Sequence, residues 1–564
     1  MAAEAAGAPD PRRWWTLIVL CTSLMVIGVD NTILNVALPT LSRTLGASTS
    51  RLQWIVDAYT LVFAGLLLTA GSLGDRFGRR RALTFGLLVF GTGSVASALV
   101  GSSGQLIATR AFMGIGGACI MPSTLSIITN VFTVPGERAK AIAIWAGVSG
   151  VGIGLGPVAG GWLLQHFYWG SVFLVNVPIV VGSLVAGRFL IPESKDPTGP
   201  RLDPVGAVLS IAGLSALLYA IIEGPAQGWS HGSILLGFGI AAVVLPSFIA
   251  WEARIDHPML DVAFFKNPRF TAASSAITLV FFALFGSLFF LTQLLQSVLG
   301  LSALQAGVRV LPQAACLMVF APVSARMVQV IGTKIVVTFG LVTVAAGFLV
   351  GSRFGYSSGY GVLLISIVLQ GVGMGCVMAP ATESIMGSLP RRKAGVGSAV
   401  NDTTRQVGGT LGVAILGSIL SSIYTSHLRA HLGALHLTPQ AAAAATSSIG
   451  GALQGARRLG GSAGATLTRA ARHAFIDASS RGFLAAALVA LIGAGVAVVF
   501  LPARAPEEAD SDAAATGEAA SDAAAPGEAA SGAVATDTGA LGGPDTRPGA
   551  PAPRPNAGAP ALAD

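Results

Sequence analysis

Apolar runs long enough to cross a bilayer recur along almost the whole chain, and nothing else in the sequence narrows the possible folds as much. A hydrocarbon core about 30 Å thick takes roughly 20 helical residues at 1.5 Å each. About fourteen such runs fall near 15–37, 53–73, 82–101, 105–128, 140–163, 171–191, 205–223, 233–251, 271–297, 305–326, 334–351, 360–380, 401–424 and 483–502. Of the 564 residues only 11% are charged and 53% are hydrophobic, whereas soluble domains carry about 25% charged residues. The expected fold class is an all-α polytopic membrane protein, with the lipid bilayer as its first partner.

Basic residues punctuate these runs, and short cytoplasmic loops collect Lys and Arg. With the N-terminus inside, those loops hold Arg76, Arg79, Arg80 and Arg81; Arg138 and Lys140; Lys195 and Arg201; Arg254, Lys266 and Arg269; Lys334; and Arg391, Arg392 and Lys393. Several opposite loops hold none. The segment 425–482 breaks the pattern with Arg429, Arg457, Arg458, Arg469 and Arg472, but long loops cross largely regardless of charge, so it is expected as a long outer loop. Residues 1–14 are expected as a cytoplasmic N-terminus. The first run follows Arg12 and Arg13 without a small-residue cleavage site and reads as an uncleaved span. After Pro502 the chain turns to Ala, Gly, Pro and Asp with almost no large apolar residue, so 503–564 is expected as a disordered cytoplasmic tail. Both termini then lie inside.

The net charge of +8 is explained by this loop topology, and no nucleic-acid partner is expected. Cys21, Cys119, Cys316 and Cys376 all sit in apolar runs without metal-ligand spacing. They read as buried small hydrophobes, with no disulfide, metal or cofactor. The chain holds no Gly-x-x-x-x-Gly-Lys-Ser/Thr loop to cradle phosphates, so it is expected neither to hydrolyse ATP nor to be an enzyme.

One segment is echoed. Gly114-Ile-Gly-Gly-Ala-Cys-Ile-Met-Pro-Ser-Thr124 returns as Gly371-Val-Gly-Met-Gly-Cys-Val-Met-Ala-Pro-Ala-Thr382, and each copy leads through a proline-containing basic loop into another glycine-rich span. Spans 4 and 5 therefore match spans 12 and 13. An offset of eight among fourteen fits two six-helix halves, 15–191 and 271–502, separated by two inserted helices over 205–251. Paired halves of this kind bind solute near the midplane between them.

Several motifs carry charge or close packing. In Gly71-Ser-Leu-Gly-Asp75-Arg76-Phe-Gly78-Arg79-Arg80-Arg81, Gly74 and Gly78 permit a tight turn, while Asp75 and the arginines can bond a neighbouring helix end or each other. This loop resembles the signature between spans 2 and 3 of the major facilitator superfamily, which implies a conformational latch built on Gly71, Asp75, Arg76, Gly78, Arg79 and Arg80. Arg326, Gly332 and Lys334 look like a degraded second copy. Span 5, reading Gly147 to Gly161, is similar to the antiporter motif of drug-exporting members. Its Gly152, Gly156, Gly160 and Gly161 allow close helix contact, and Pro157 bends the helix.

The first span, Val29-Asp30-Asn31-Thr32-Ile33-Leu34-Asn35-Val36-Ala37-Leu38-Pro39, resembles that of the fourteen-span drug:proton antiporter subgroup. A carboxylate at this depth must be paired, hydrated or protonated, so Asp30 is either a proton-coupling group or a structural bond to a neighbouring helix. Asp57 in span 2 either shares the proton site or faces an outer vestibule. Arg110 in span 4 matches the basic position of another superfamily motif. It tunes a nearby carboxylate, holds the substrate path or forms a structural ion pair. Glu223 and Glu383 read as interfacial. Asn401-Asp-Thr-Thr-Arg405-Gln406-Val-Gly-Gly resembles the subgroup's span 13, so Asn31, Asn35, Asn401, Arg405 and Gln406 are candidates to line a cavity, with plain packing as the alternative. One departure is that Trp169-Gly-Ser-Val-Phe173 precedes Asn176-Val-Pro178 where the subgroup often shows Trp-Arg-Trp-x-Phe.

The resemblance, over roughly 15–502, implies a proton-coupled antiporter that exports small amphiphilic drugs or antibiotics across a bacterial inner membrane by alternating access. A small-molecule substrate and protons are the expected partners, and the protein is expected to act as a monomer. Uptake by symport on the same fold is the main alternative, and a non-transporting sensor a further one.

Overall fold

The computed structural model describes residues 12–195, 203–255, 258, 262–388, 394–432 and 437–502. The expected tail 503–564, most of the N-terminus, and Arg201, Arg391, Arg392 and Lys393 lie outside the described residues. The described residues form helices and no strand. The first half comprises α1 (Arg13–Thr44), α2 (Thr49–Phe77), α3 (Arg79–Leu99), α4 (Ser103–Val131), α5 (Pro135–His166), the single turn α6 (Ser171–Leu174) and α7 (Asn176–Leu190). The inserted pair is α8 (Pro204–Gln227) and α9 (Gly232–Glu252). The second half runs through α10 (Pro268–Gln293), α11 (Ala303–Ile331), α12 (Thr333–Gly351), α13 (Tyr360–Gly387), α14 (Ala394–Leu432), α15 (Pro439–Ser447), α16 (Ile449–Leu459) and α17 (Gly461–Phe500).

Counting α6 with α7, twelve helices are long and apolar enough to cross a bilayer. A thirteenth is α2, bent by 53° beyond Leu67. With α5, 32 residues long and packed between α1 and α11, each expected span has its helix. The chain is a multi-pass membrane protein.

Local chemistry marks the helix starts. The first backbone N–H groups of a helix lack intrahelical partners, and here side chains take them. Ser48, Ser102 and Asp203 cap α2, α4 and α8, Asn267 caps α10, and Ser302 with Gln305 forms a capping box on α11. At Gly78 (φ +118°) and Gly332 (φ +82°) one residue both ends a helix and begins the next. Only glycine holds such angles without strain, so the second copy of the loop keeps its hinge although it lost its aspartate.

The region expected as a long outer loop is mostly helical. α14 continues to Leu432, α15 and α16 follow, and α17 begins at Gly461. Its Ala-rich stretches are too polar and short to read as spans, yet Ala is the strongest helix former, and Thr438 and Ser448 cap the two short helices.

The two halves repeat each other's contacts. A Cβ on Gly86 of α3 would stand 2.8 Å from Gly116 O and 2.9 Å from Cys119 Cβ, and one on Gly340 of α12 would stand 2.7 Å from Gly373 O and 2.9 Å from Cys376 Cβ. These are the glycines and cysteines of the sequence echo. Likewise Gly156 and Gly160 bring α5 onto the α1 backbone at Val29 and Ile33, as Gly408 and Gly412 bring α14 onto α10 at Thr278 and Phe282. The halves meet along α5 with α11 and α2 with α14, and α8 bridges the second seam. There Pro225 cannot bond the Ile221 carbonyl, which accepts instead from Ser418 Oγ at 2.6 Å, while Ile222 O accepts from Ser50 Oγ at 3.2 Å.

Close backbone contact predicts paired sensitivities. Gly86→Val and Gly340→Val should each destabilise by about 1–3 kcal/mol through overpacking. Gly182→Ala in α7, where an added Cβ meets nothing within 4 Å, should be neutral or stabilise by up to about 1 kcal/mol. Thermal unfolding in detergent would check the contrast.

Candidate functional site

The deepest polar cluster lies wholly within the first half. Asp30 of α1 is fully buried, and Arg110 of α4 is 1% exposed. Arg110 Nη1 donates to Asp30 Oδ2 at 2.5 Å, its Nε donates to Ile55 O at 3.2 Å, and its guanidinium lies over the Tyr59 ring at 4.4 Å. Asn176 Nδ2 donates to Asp30 Oδ1 at 3.3 Å and to Ser94 Oγ at 3.2 Å, and Ser94 Oγ donates to Phe173 O at 2.8 Å. Four helices and the α6 turn are thus tied to one carboxylate. Arginine's planar fork suits this role, since it makes several directed bonds from one charge.

Asp57 occupies the other side of α2. Ile55 and Tyr59 face Arg110, whereas Gln53 and Thr60, a turn either side of Asp57, face α14. Gln53 Nε2 donates to Val413 O at 3.1 Å and Ala414 O at 2.9 Å, and Thr410 Oγ1 donates to Thr60 Oγ1 at 2.8 Å. By helical spacing Asp57 shares that face. It is fully buried, and neither carboxyl oxygen nor Gln53 Oε1 has a hydrogen-bond partner among the described residues. The carboxylate therefore lies buried on the face of α2 that meets α14.

The glycines expected in span 5 form the other seam. Gly152, Gly156 and Gly160 put α5 against α1, while Gly161 meets the backbone of Ala303 and Leu304 and the Pro157 carbonyl meets Gly307 on α11. A small-residue row at intervals of four lets backbones approach this closely. Between the seams lies a pocket of about 50 Å³, lined by Thr32, Asn35, Pro157, Leu288, Gln313 and Met374 among others. That is room for a few waters. Its wall toward the α1 end is a clamp. Pro39 has no N–H to bond the Asn35 carbonyl, and Thr292 Oγ1 of α10 donates to that oxygen at 2.7 Å while Gln296 Nε2 donates to Val36 O at 2.8 Å.

The predicted latch residues come together. Asp75 Oδ1 accepts from Arg79 Nε at 2.8 Å, and Arg79 Nη1 reaches Ser126 O near the α4 C-terminus at 3.4 Å. Glu193, beyond α7, accepts from the Arg80 backbone N–H at 3.1 Å and pairs with Arg80 and Arg81 at 3.6 and 3.7 Å. Gly71 packs on Pro122, and Arg76 lies over Phe77 at 5.6 Å.

Of the candidate cavity residues, only Asn35 lines the pocket. Asn31 is half-buried one turn back, and its carbonyl accepts from Asn35 Nδ2 at 3.1 Å. Asn401 and Arg405 form a separate group, in which Arg405 Nη2 donates to Thr382 Oγ1 at 3.0 Å, pairs with Asp402 at 3.8 Å and covers the Phe281 ring. Gln406 is half-buried on the same helix. Glu223 accepts from Trp54 Nε1 at 3.2 Å, and Glu383 is exposed. Asn176, Ser94, Tyr59, Gln53, Thr292, Gln296 and Glu193 were not singled out from the sequence. Asn176 stands in the quoted Asn-x-Pro, and the rest are ordinary residues given weight only by their neighbours. Among the described residues no group of His, Cys, Asp or Glu could hold a metal ion.

Removing one partner of a buried ion pair strands the other charge, at a cost of about 3–5 kcal/mol. Asp30→Asn and Arg110→Met should each destabilise on that scale. The double variant should be more stable than the sum of the two losses predicts by at least about 1 kcal/mol, as groups in direct contact are not additive. Unfolding of the four proteins in detergent would provide the cycle.

This chain resembles known proteins over most of its length. The "Multidrug efflux pump LfrA" of Mycolicibacterium smegmatis is 38% identical over 86% of this chain and 95% of its own. The "Tetracenomycin C resistance and export protein" of Streptomyces glaucescens is 34% identical over 90% of this chain and 96% of its own. A crystal structure of a bacterial homologue of the human lysosomal transporter Spinster matches with a TM-score of 0.62 at 17% identity, covering 87% of this chain and 97% of that one, a likeness of fold. Residues 20–413 match the Major Facilitator Superfamily, and the chain belongs to that family.

Proposed function

We propose that this protein is a proton-coupled antiporter that exports small amphiphilic drugs or antibiotics across a bacterial inner membrane by alternating access. It is not an enzyme, it takes no nucleic-acid partner, and it works as a monomer. The relatives named for multidrug efflux and for antibiotic export, aligned over most of both chains, support the cargo class and direction. The orientation, with both termini cytoplasmic, is supported by Arg79, Arg80 and Arg81, Arg138, Lys140 and Lys334, which stand at the face where α1 begins.

The observation that carries the coupling mechanism is the partnerless carboxylate of Asp57 in the seam between α2 and α14. A buried charge without a counter-ion is costly, and a proton neutralises it without moving a side chain. Its arrival or departure changes the charge between the two halves, which biases their relative arrangement. Asp30, held by Arg110 and Asn176, is the second embedded acid and keeps α1, α4 and α7 together while α2 responds on its far face. Solute binds between Asn35, Gln313 and Met374 once the pocket opens, and the Asp75–Arg79 pair together with the Glu193 contacts to Arg80 and Arg81 latches one access state.

Asp57→Asn should insert and fold while losing coupling. In proteoliposomes loaded with a pH-sensitive dye, the wild-type protein should move protons against a fluorescent amphiphile, and the variant should lose at least about tenfold of gradient-driven efflux while retaining exchange. Wild-type protein passing the amphiphile at equal speed with and without a pH difference contradicts antiport. Protons and solute moving in the same direction would establish uptake by symport instead.

A further inference from the structure

At the face where α1 ends, the surface opens into a cleft of about 470 Å³ between the ends of α1 and α5, the α10–α11 turn, α16 and the first turns of α17. It is far larger than the central pocket and falls within the usual range of small-ligand sites. Arg43, Arg457 and Arg472 line it, and no carboxylate does so among the described residues. The guanidinium groups rest only on neutral oxygens. Arg43 Nε donates to Pro39 O at 3.1 Å and its Nη2 to Thr40 Oγ1 at 3.2 Å, while Arg472 Nε donates to Ser297 O at 3.2 Å. Arg457 makes no hydrogen bond or ion pair among the described residues, and its charge acts directly on that of Arg43.

Three like charges around one opening repel one another, and each keeps N–H donors to spare from a set of five. An oxyanion answers both conditions, since it supplies the missing charge and several acceptor lone pairs to planar forks. Leu164, Leu301 and Leu453 add an apolar wall beside the arginines. The arrangement is also fixed in place. Ser42 Oγ meets Ser448 Oγ at 3.1 Å, Thr49 Oγ1 donates to Ser447 O at 3.0 Å, and Gly450 packs against Ser42, so α16 is fastened to the first half although it belongs to the second in sequence.

We propose that this cleft binds a small amphiphilic anion, its carboxylate, sulfonate or phosphate group held by Arg43, Arg457 and Arg472 and its apolar part by the three leucines. Because α1 and α5 form one side and α10, α11 and α17 the other, the bound anion ties the halves together at this end and favours the arrangement in which they are apposed there.

The test uses the full chain in detergent with dansylglycine, a fluorescent ring carrying one carboxylate, and its neutral amide as control. Dansylglycine should bind with an affinity that falls as salt rises. Arg457→Gln, which breaks no contact, should weaken it by about two- to fivefold, the range of single exposed ion pairs, and R43Q/R457Q/R472Q by more than tenfold, with the amide unaffected. Competition by inorganic phosphate would identify a free oxyanion as the natural occupant. Loss of the site in nanodiscs containing phosphatidylglycerol, compared with phosphatidylcholine alone, would identify a lipid headgroup. Competition by neither would leave an amphiphilic solute. Wild-type affinity for dansylglycine in the triple variant, or an equal loss for the amide, overturns the proposal. If the triple variant does not fold, Arg457→Gln decides, and unchanged affinity there overturns it equally.

Discussion

Lipid tails are as apolar as leucine, so no hydrophobic force pulls one membrane helix onto another, and a bundle in hydrocarbon holds through close contact of backbones. Many glycines among the described residues are therefore packing surface. Gly86 on Gly116 and Gly340 on Gly373 fix the same helix crossing in each half, and Gly156 and Gly412 do so for α5 on α1 and α14 on α10. A seam without side chains can also separate and close again with little rearrangement. The contact of Pro157 with Gly307, which joins the halves, is of this kind.

The backbone symmetry does not extend to the charges. The echo that pairs Gly114 with Gly371 sets Arg110 opposite Ile367, a fully buried aliphatic residue. The first half thus carries Asp30, Arg110 and Asn176 at depth, where the second has Ile367 in place of the arginine and neutral Gln313, Ser366 and Gln370 bonded beside it. Its own ion pair, half-buried Arg405 with Asp402, lies on α14 beside Phe281 and Thr382. Two halves of one architecture have been given different electrostatic work, and the partnerless carboxylate stands where they touch.

Much of this was legible in the sequence because hydrocarbon is a strict solvent. Span existence follows from hydropathy, and the pairing of halves follows from the glycine echo. Embedded charges such as Asp30, Asp57 and Arg110 are conspicuous wherever they occur. What the sequence withheld was which helix face meets which neighbour. Asp30 and Arg110 were separate candidates until the packing of α1 on α4 joined them, and nothing local marks Asn176 as the third member. Asn401 and Arg405 looked like cavity residues, but the rotation of α14 turns Arg405 toward α10 and α13. The helices from Pro439 to Leu459 escaped notice because a hydropathy scan is blind to short Ala-rich helices, whose stability comes from propensity and caps.

Helix α1 connects these separate features. Thr32, Asn35 and Val36 face the central pocket, and Pro39, Thr40 and Arg43 face the arginine-lined cleft, all on one stripe at intervals of three and four. Between the two spaces, Thr292 bonds the Asn35 carbonyl, which Pro39 leaves without its helical N–H, and Gln296 adds a bond to the Val36 carbonyl. Asp30 lies on the same helix, turned toward α4 and α7. The Arg110 and Asn176 contacts fix one side of α1, and the α10 clamp fixes the other through oxygens of the α1 backbone itself. The proline thus leaves a backbone oxygen of α1 as the acceptor of one of the two bonds that separate pocket from cleft.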